Sequence, residues 1–483
     1  MFDVIVIGGG PAGVTAALRA RELGATVALV EKGRMGGTCT NDGCAPTRVL
    51  AKAARLARDC EQLEDYGLSP HRPTVDLPRL LARTQQTIYR LQEKKQLLEN
   101  LRAAGVEVLA ETGPAQFANS QTLQLSNGRP LTAEKFIICV GGQARRLPLP
   151  GAEHALTHSS VWSLTHQPRS LAVVGAAATG CQIASIFNAF GTAVHLLELA
   201  PRILAAEDEA VSALVTQNFL ANGIQVLSGI GGLTQIEKLS HGLRLHYTAE
   251  NQTRQLDVEA ALLAVGWVGN LEPLNLPAAG VQTARGYIQV DDALRTTAPN
   301  IYAAGDITGR MMLVQSASHE ARLAVENALL SSQRTEVGAW HTIVPHGGFT
   351  DPEYGSVGLT ELKAREQLGE DCAVAQAAYA DLDRAVIDDR PSGFCKLIVS
   401  RATRQIVGAH VVGEQAVEVV QMAAAGMAAG MTIEQLAELE LAYPTFTAII
   451  GLAARKLVRE LGLTPLVPAW RSLSRPAEWE QRS

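Results

Sequence analysis

The sequence predicts an α/β protein built on two Rossmann-like dinucleotide-binding units. Three observations predict it. The chain opens on a strand, a glycine turn, a helix and a second strand; the same pattern returns with the same internal spacing; and 483 residues are too many for one ordinary core.

The first copy is "DVIVIGGGPAGVTAALRARELGATVALVEK". Gly8, Gly10 and Gly13 fill a GxGxxG frame and Glu31 closes the second strand. The first glycine makes the turn, the second admits backbone close to a pyrophosphate, and the third packs helix on strand. Phosphate is held at the positive helix N-terminus, and the acid takes a ribose hydroxyl.

The second copy is "SLAVVGAAATGCQIASIFNAFGTAVHLLELAPR". Gly175 and Gly180 hold the first and third glycine positions and Glu198 ends the strand. In both copies the acid follows the third glycine by eighteen residues. Two such units imply two dinucleotides. Ala177 stands where the second glycine belongs, and its methyl group is expected to crowd a pyrophosphate. The alternative reading of this copy is a vestigial domain kept for packing.

Between the copies, "GGTCTNDGCAPTR" sets Cys39 and Cys44 five positions apart, in a turn that runs into the helix "APTRVLAKAARLARD". Two thiols so placed are a structural disulfide, half a metal site or a redox pair. "KFIICVGGQARRLPLPG" reads as a strand entering Gly141-Gly142 and then a proline-rich boundary near Pro150. "TTAPNIYAAGDITG" reads as a strand that exposes Asp306 at its carboxyl end, where an acid can bind a polyol or ribose. The run "LLARTQQTIYRLQEKKQLLENLRAAG" predicts one long surface helix.

A net charge of −6 argues against nucleic acid or an anionic membrane as main partner. No stretch reaches ~18 consecutive apolar residues, and the opening strand carries no leader-like pattern. Seven cysteines with one close pair suit a reducing, cytoplasmic setting.

Together these pieces resemble the pyridine nucleotide-disulfide oxidoreductases (dihydrolipoamide dehydrogenase, glutathione reductase, mercuric reductase) over roughly residues 2 to 460. "GGTCTNDGC" is similar to the redox-active cysteine motif, "GPAQF" from Gly113 to the adenine-side FAD loop, and "YAAGD" to the motif whose Asp holds the ribityl chain. "VPHGGFTDPEYGSVGLTE", "SGFCKLIV" and "IVGAHVVG" are similar to the dimerisation domain. The resemblance implies an FAD-binding domain over 1–150 and 271–337, an NAD(P)-binding domain over 151–270, an α+β dimerisation domain over 338–462, and a tail over 463–483.

It also implies a homodimer that takes electrons from NAD(P)H, through FAD, into a Cys39–Cys44 disulfide and on to a disulfide acceptor. Cys44 faces the flavin in this reading, and Cys39 attacks the acceptor. FAD contacts are expected from Gly8, Gly10, Gly13, Glu31, Gly37, Thr38, Arg48, Gly113, Gly141 and Asp306. Nicotinamide-nucleotide contacts are expected from Gly175, Gly180, Glu198 and Gly266. Glu198 favours NADH by repelling a 2′-phosphate.

Geometry adds to this. On a regular helix, residues five apart have Cα atoms roughly 8.6 Å from each other, beyond the ~7 Å limit for a disulfide. The helix must break between the cysteines, and Gly43 is expected to allow it. A zinc site would need two further ligands, and no second close Cys or His pair supplies them.

Four positions depart from the family pattern. Arg48 replaces a Lys and Gln182 a Glu. In "LAYPTFTAIIG", Tyr443 and Ala448 replace the His and Glu of the proton shuttle, so Tyr443 is the remaining catalytic candidate there. Mercuric reductase also carries a Tyr near this point, but the tail here has no cysteine pair. A metal-ion or quinone reductase, and a flavin-bound redox sensor with little turnover, are the rival readings. No resident metal is expected. Cys139, Cys181 and Cys395 read as core, His341 and His346 as loop residues, and Trp470 and Trp479 as interface anchors or a flap.

Overall fold

The computed structural model describes residues 1–69, 73–330 and 343–463; His341, Trp470 and Trp479 lie outside the described residues. The chain divides into two compact units, one over 1–206, 216–344 and 349–351, the other over 207–215, 345–348 and from 352 onward.

The first unit contains both nucleotide-binding folds. Its larger sheet runs 107–109, Val27–Val30, Phe2–Ile7, Pro130–Ile138, all parallel, with Ile301–Ala303 added parallel beyond 130–138. The central strands are apolar on both faces: Val4, Val6, Val27 and Leu29 pack on the helices, while Ile5, Ile7, Ala28 and Val30 pack on Phe117, Leu123 and Leu276. Helix Pro11–Glu22 buries Ala12, Gly13, Ala16, Ala17 and Ala20, and these small side chains let it pack closely on helix Val314–Leu329. Arg19 ties the two helices through Glu326 at 2.7 Å.

The smaller parallel sheet runs Gln225–Ser228, Ala193–Glu198, Ser170–Val174, Ala260–Leu263. A three-stranded antiparallel sheet over 232–258 packs its inner residues, Ile236, Leu243, Leu245 and Val258, against it.

The redox segment forms a short helix, Gly37–Asn41, then helix Cys44–Asp59. The break at Asp42–Gly43 was expected, but its cause is closeness. Gly43 donates its N–H to the Thr38 carbonyl at 2.7 Å, and a Cβ on Gly43 would lie 3.0 Å from that oxygen. The long surface run is two helices, Leu77–Lys95 and Leu97–Ala103, separated by Gln96 at φ +43°.

The second unit is a five-stranded antiparallel sheet in the order 346–348, 354–358, 406–412, 394–400, 372–378, with helices Ala416–Ala428 and Ala448–Glu460 packed on it. Its interior holds a charged cluster. Lys396, 6% exposed, bonds Asp208 and Glu361 at 2.7 Å each. His346 opens a strand rather than sitting in a loop, and pairs with Glu207 at 3.3 Å.

Candidate active site

The two glycine turns superpose in detail without being identical in sequence. Gly8 and Gly175 open them at φ +109° and +97°. A Cβ on Gly13 would lie 1.7 Å from the Gly8 carbonyl oxygen, and one on Gly180 1.8 Å from that of Gly175. Only glycine fits at either position. Gly10 and Ala177 cap the following helices at φ −77°, ψ −174° and φ −77°, ψ −173°. Ala177 thus leaves the backbone unchanged and adds only a methyl group, which is exposed.

The two acids are also held alike. Glu31 accepts the Gly9 N–H at 2.6 Å and the Gly33 N–H at 2.8 Å, one on each oxygen. Glu198 accepts Ala176 at 2.6 Å and Ala200 at 2.9 Å in the same way. Each oxygen keeps a lone pair for a ribose hydroxyl.

Around the first turn the structure gathers most of the residues expected to hold FAD. Gly36 donates to the Gly9 carbonyl at 2.9 Å, and a Cβ on Gly37 would come 2.9 Å from Gly10 Cα. The redox segment therefore starts against the phosphate turn. Gly113, at φ +72°, bonds the Lys32 carbonyl beside Glu31. Gly142, following Gly141, faces Asp306, whose Cβ would be 3.6 Å from an added methyl. Asp306 follows Gly305, whose N–H donates to the Glu320 carboxylate at 2.8 Å. Burial pushes Asp306 up and raises Glu320 to about 7. A turn open to phosphate at Gly10, a fixed acid for ribose and an Asp for a polyol fit an adenine dinucleotide carrying a ribityl chain.

Cys39 and Cys44 are close neighbours across the Asp42–Gly43 break. Cys39 is half-buried; Cys44 is exposed and is the first residue of helix Cys44–Asp59. Interaction with the Cys39 thiol pulls Cys44 down to about 7, assisted by its own backbone amide and by Lys95 and opposed by partial desolvation and Asp306. The same interaction, with burial, pushes the Cys39 thiol up. Lys95, which donates to Thr40 Oγ1 at 3.0 Å, went unnoticed in the sequence. It ends a helix begun at Leu77 and has no motif of its own.

Arg48 and Gln182 meet at Phe349. The Arg48 guanidinium lies 4.2 Å from the Phe349 ring centroid, and Gln182 Oε1 accepts the Phe349 N–H at 3.2 Å. Gly266 sits at φ +101° in the loop after the smaller sheet, and its carbonyl accepts the Arg145 N–H at 2.9 Å. In the second unit, Tyr443 is 75% exposed and donates to Asp383 Oδ2 at 2.7 Å. Position 448 lacks a carboxylate, but Asp383 supplies one from 60 residues upstream. Cys139, Cys181 and Cys395 are buried, as expected. Among the described residues, no group of three or more His, Cys, Asp or Glu is placed to hold a metal, and no helix is long and apolar enough to cross a membrane.

Residues 2–321 match the pyridine nucleotide-disulphide oxidoreductase family, and residues 344–454 match its dimerisation domain. The chain belongs to this family. Its members contain FAD and use NAD(P)H. Dihydrolipoyl dehydrogenase of Zymomonas mobilis is 32% identical over 87% of this chain and 90% of its own length. Mercuric reductase of Staphylococcus aureus is 29% identical over 94% and 82%. The solved HOCl-induced flavoprotein disulfide reductase RclA of Escherichia coli superposes with a TM-score of 0.82, at 27% identity over 94% of this chain and 99% of its own. A Cu(II) complex of RclA superposes at 0.81. Within this family, the chain is a flavoprotein disulfide oxidoreductase with a dimerisation domain.

Proposed function

We propose that this oxidoreductase works as a cytoplasmic homodimer, passing electrons from NADH to the Cys39–Cys44 pair and on to a disulfide acceptor. The observation that carries this reading is the pair of neighbouring cysteines, with Cys44 at a helix N-terminus within electrostatic reach of Lys95 and Asp306, in a segment that starts against the phosphate turn. FAD, when bound, supplies the two-electron relay between nicotinamide and disulfide.

The protein's own groups do the rest. Gly8, Gly10 and Gly13 shape the phosphate turn, Glu31 receives ribose, and Asp306 takes the polyol chain. The helix dipole and Lys95 hold negative charge on Cys44 Sγ, while Cys39 attacks one acceptor sulfur, breaking the acceptor's S–S bond, and its proton passes to the departing thiolate. Glu198 supports NADH over NADPH, because a carboxylate repels a 2′-phosphate. Arg202, the nearby cation, donates to the carbonyls of Leu204 and Ala205 at 3.1 and 2.9 Å, within its own loop.

A second reading, reduction of a metal ion, is favoured by Tyr443 and by the copper complex of RclA. Stopped-flow mixing of the oxidised protein with NADH or NADPH, followed by lipoamide, glutathione disulfide or Cu(II), tests both. Reduction by NADH with reoxidation by a disulfide supports the first. Reoxidation by Cu(II) alone supports the second, and no reduction by either nucleotide sinks both.

A further inference from the structure

A cavity of about 720 Å³ lies in the first unit, walled by residues 284–291, 295–297 and 308–310. None of the residues expected to hold FAD or a nicotinamide nucleotide lines it. Its charged lining is three arginines, Arg285, Arg295 and Arg310, and one acid, Asp291. That acid serves its own loop, where Oδ1 accepts the amides of Ala293 and Arg295 at 2.9 Å each.

Each arginine comes from a different element. Strands Thr283–Ala284 and Tyr287–Ile288 are joined by Arg285 and Gly286, at φ +53° and +86°. A two-residue hairpin turn with both φ values positive favours Asn or Gly, and a bulky side chain at its first position is disfavoured. The turn itself therefore gives no reason for Arg285. Arg295 stands opposite Tyr302, its guanidinium 5.9 Å from that ring. Among the described residues this guanidinium has no hydrogen-bond or ion-pair partner, although its Nε is buried. A buried donor left unsatisfied is costly, and an anion in the cavity would satisfy it. Arg310 directs Nη2 to the carbonyls of Val290 and Asp291 at 3.2 Å each and lies 3.8 Å from Asp292. Burial lowers its pKa despite the opposing charges of Glu320, Asp292 and Asp291, so a further negative charge beside it would be favoured.

We propose that this cavity binds a small phosphorylated metabolite, with its phosphate held by Arg295, Arg285 and Arg310. Guanidinium groups match phosphate oxygens with paired N–H donors, and a cavity of this size takes a small organic molecule rather than a bare ion. Free phosphate presents the same chemistry to the arginines, and the test separates the two sources.

The test is calorimetric titration of the FAD-loaded protein, saturated with NAD⁺, with glucose 6-phosphate and with inorganic phosphate. The ester should bind, and more tightly than the free ion. Arg295→Met and Arg285→Met should each weaken it at least about tenfold, the scale of a hydrogen bond to a charged group. Arg295→Lys, which keeps the charge but loses the paired donors, should recover part of the loss. Arg285 is exposed at a hairpin tip, so its substitution leaves a folded protein to test even where Arg295→Met does not. Failure of both probes to bind overturns the proposal, as does unchanged affinity in the Met variants. Tighter binding of the free ion overturns the assignment to an ester. Binding seen only without NAD⁺ places the probe in the nucleotide site and overturns a separate cavity.

Discussion

The Tyr443 hydroxyl donates to the Asp383 carboxylate at 2.7 Å, in a region where Tyr443 and Ala448 replace the His and Glu of the family pattern. The bond raises the Tyr443 pKa above its ordinary value, so this phenol is a poor proton acceptor near neutrality. Asp383 nonetheless offers a carboxylate to the side chain at position 443. Tyr443→His alone, without a new acid at Ala448, should raise turnover of lipoamide or glutathione disulfide at least about tenfold, a modest share of the 10²- to 10⁴-fold such catalysis gives. Asp383→Asn in that background should remove the gain, as steady-state kinetics will show.

Cys44 should react as a thiolate across neutral pH. With its pKa near 7, the ionised form dominates above that value and the thiol below it. Iodoacetamide labelling of the reduced protein should rise through about pH 7 at Cys44 while Cys39, whose pKa is raised, lags. Lys95→Met removes a favourable charge and should move the Cys44 midpoint upward. A Cys44 thiolate against bound flavin should give the two-electron-reduced holoenzyme a long-wavelength charge-transfer absorbance, which should fade on acidification through the same range and be absent in Cys44→Ser.

Ala177→Gly should tighten nicotinamide-nucleotide binding without altering the fold, because the backbone at 177 already matches that at Gly10. Relief of an overpacked methyl, about 1–3 kcal/mol, corresponds to roughly 5- to 150-fold in Kd. Titration of the oxidised protein with NAD analogues measures it; equal Kd values would remove the methyl as the obstacle.

Lys396 should be indispensable to the second unit. Its side chain is 8% exposed between Asp208, at 1%, and Glu361, at 30%. Lys396→Met leaves two acids facing each other without their cation, a loss of about 3–5 kcal/mol by denaturant melts. The pKa values of Asp208 and Glu361 are depressed in the folded protein. Their contribution is therefore complete above about pH 5, where the unfolded carboxyls are already ionised. It fades as pH falls through the folded values, more steeply in the wild type than in Lys396→Met.

The nucleotide folds were legible because their signals are local. Gly8 to Glu31 and Gly175 to Glu198 are each a single stretch whose spacing alone dictates turn, helix and acid. The break between Cys39 and Cys44 could likewise be deduced from helix geometry. What escaped was every contact made by distant residues without a pattern: Phe349 with Gln182 across 167 positions, Ser159 with Asp42 across 117, Asp383 with Tyr443 across 60. The break at Gln96 escaped for another reason. A non-glycine residue at positive φ leaves no mark in a helical pattern, and the residues on either side keep the period.

Glu31 and Glu198 each bridge two backbone amides of their own loops. Each nucleotide loop is consequently tied shut by its own acid, with little conformational entropy left to lose on binding. Association should then proceed as a near rigid-body encounter, at a rate little affected by loop motion. The amides of Gly9, Gly33, Ala176 and Ala200 should resist deuterium exchange in the ligand-free protein almost as well as in the complex.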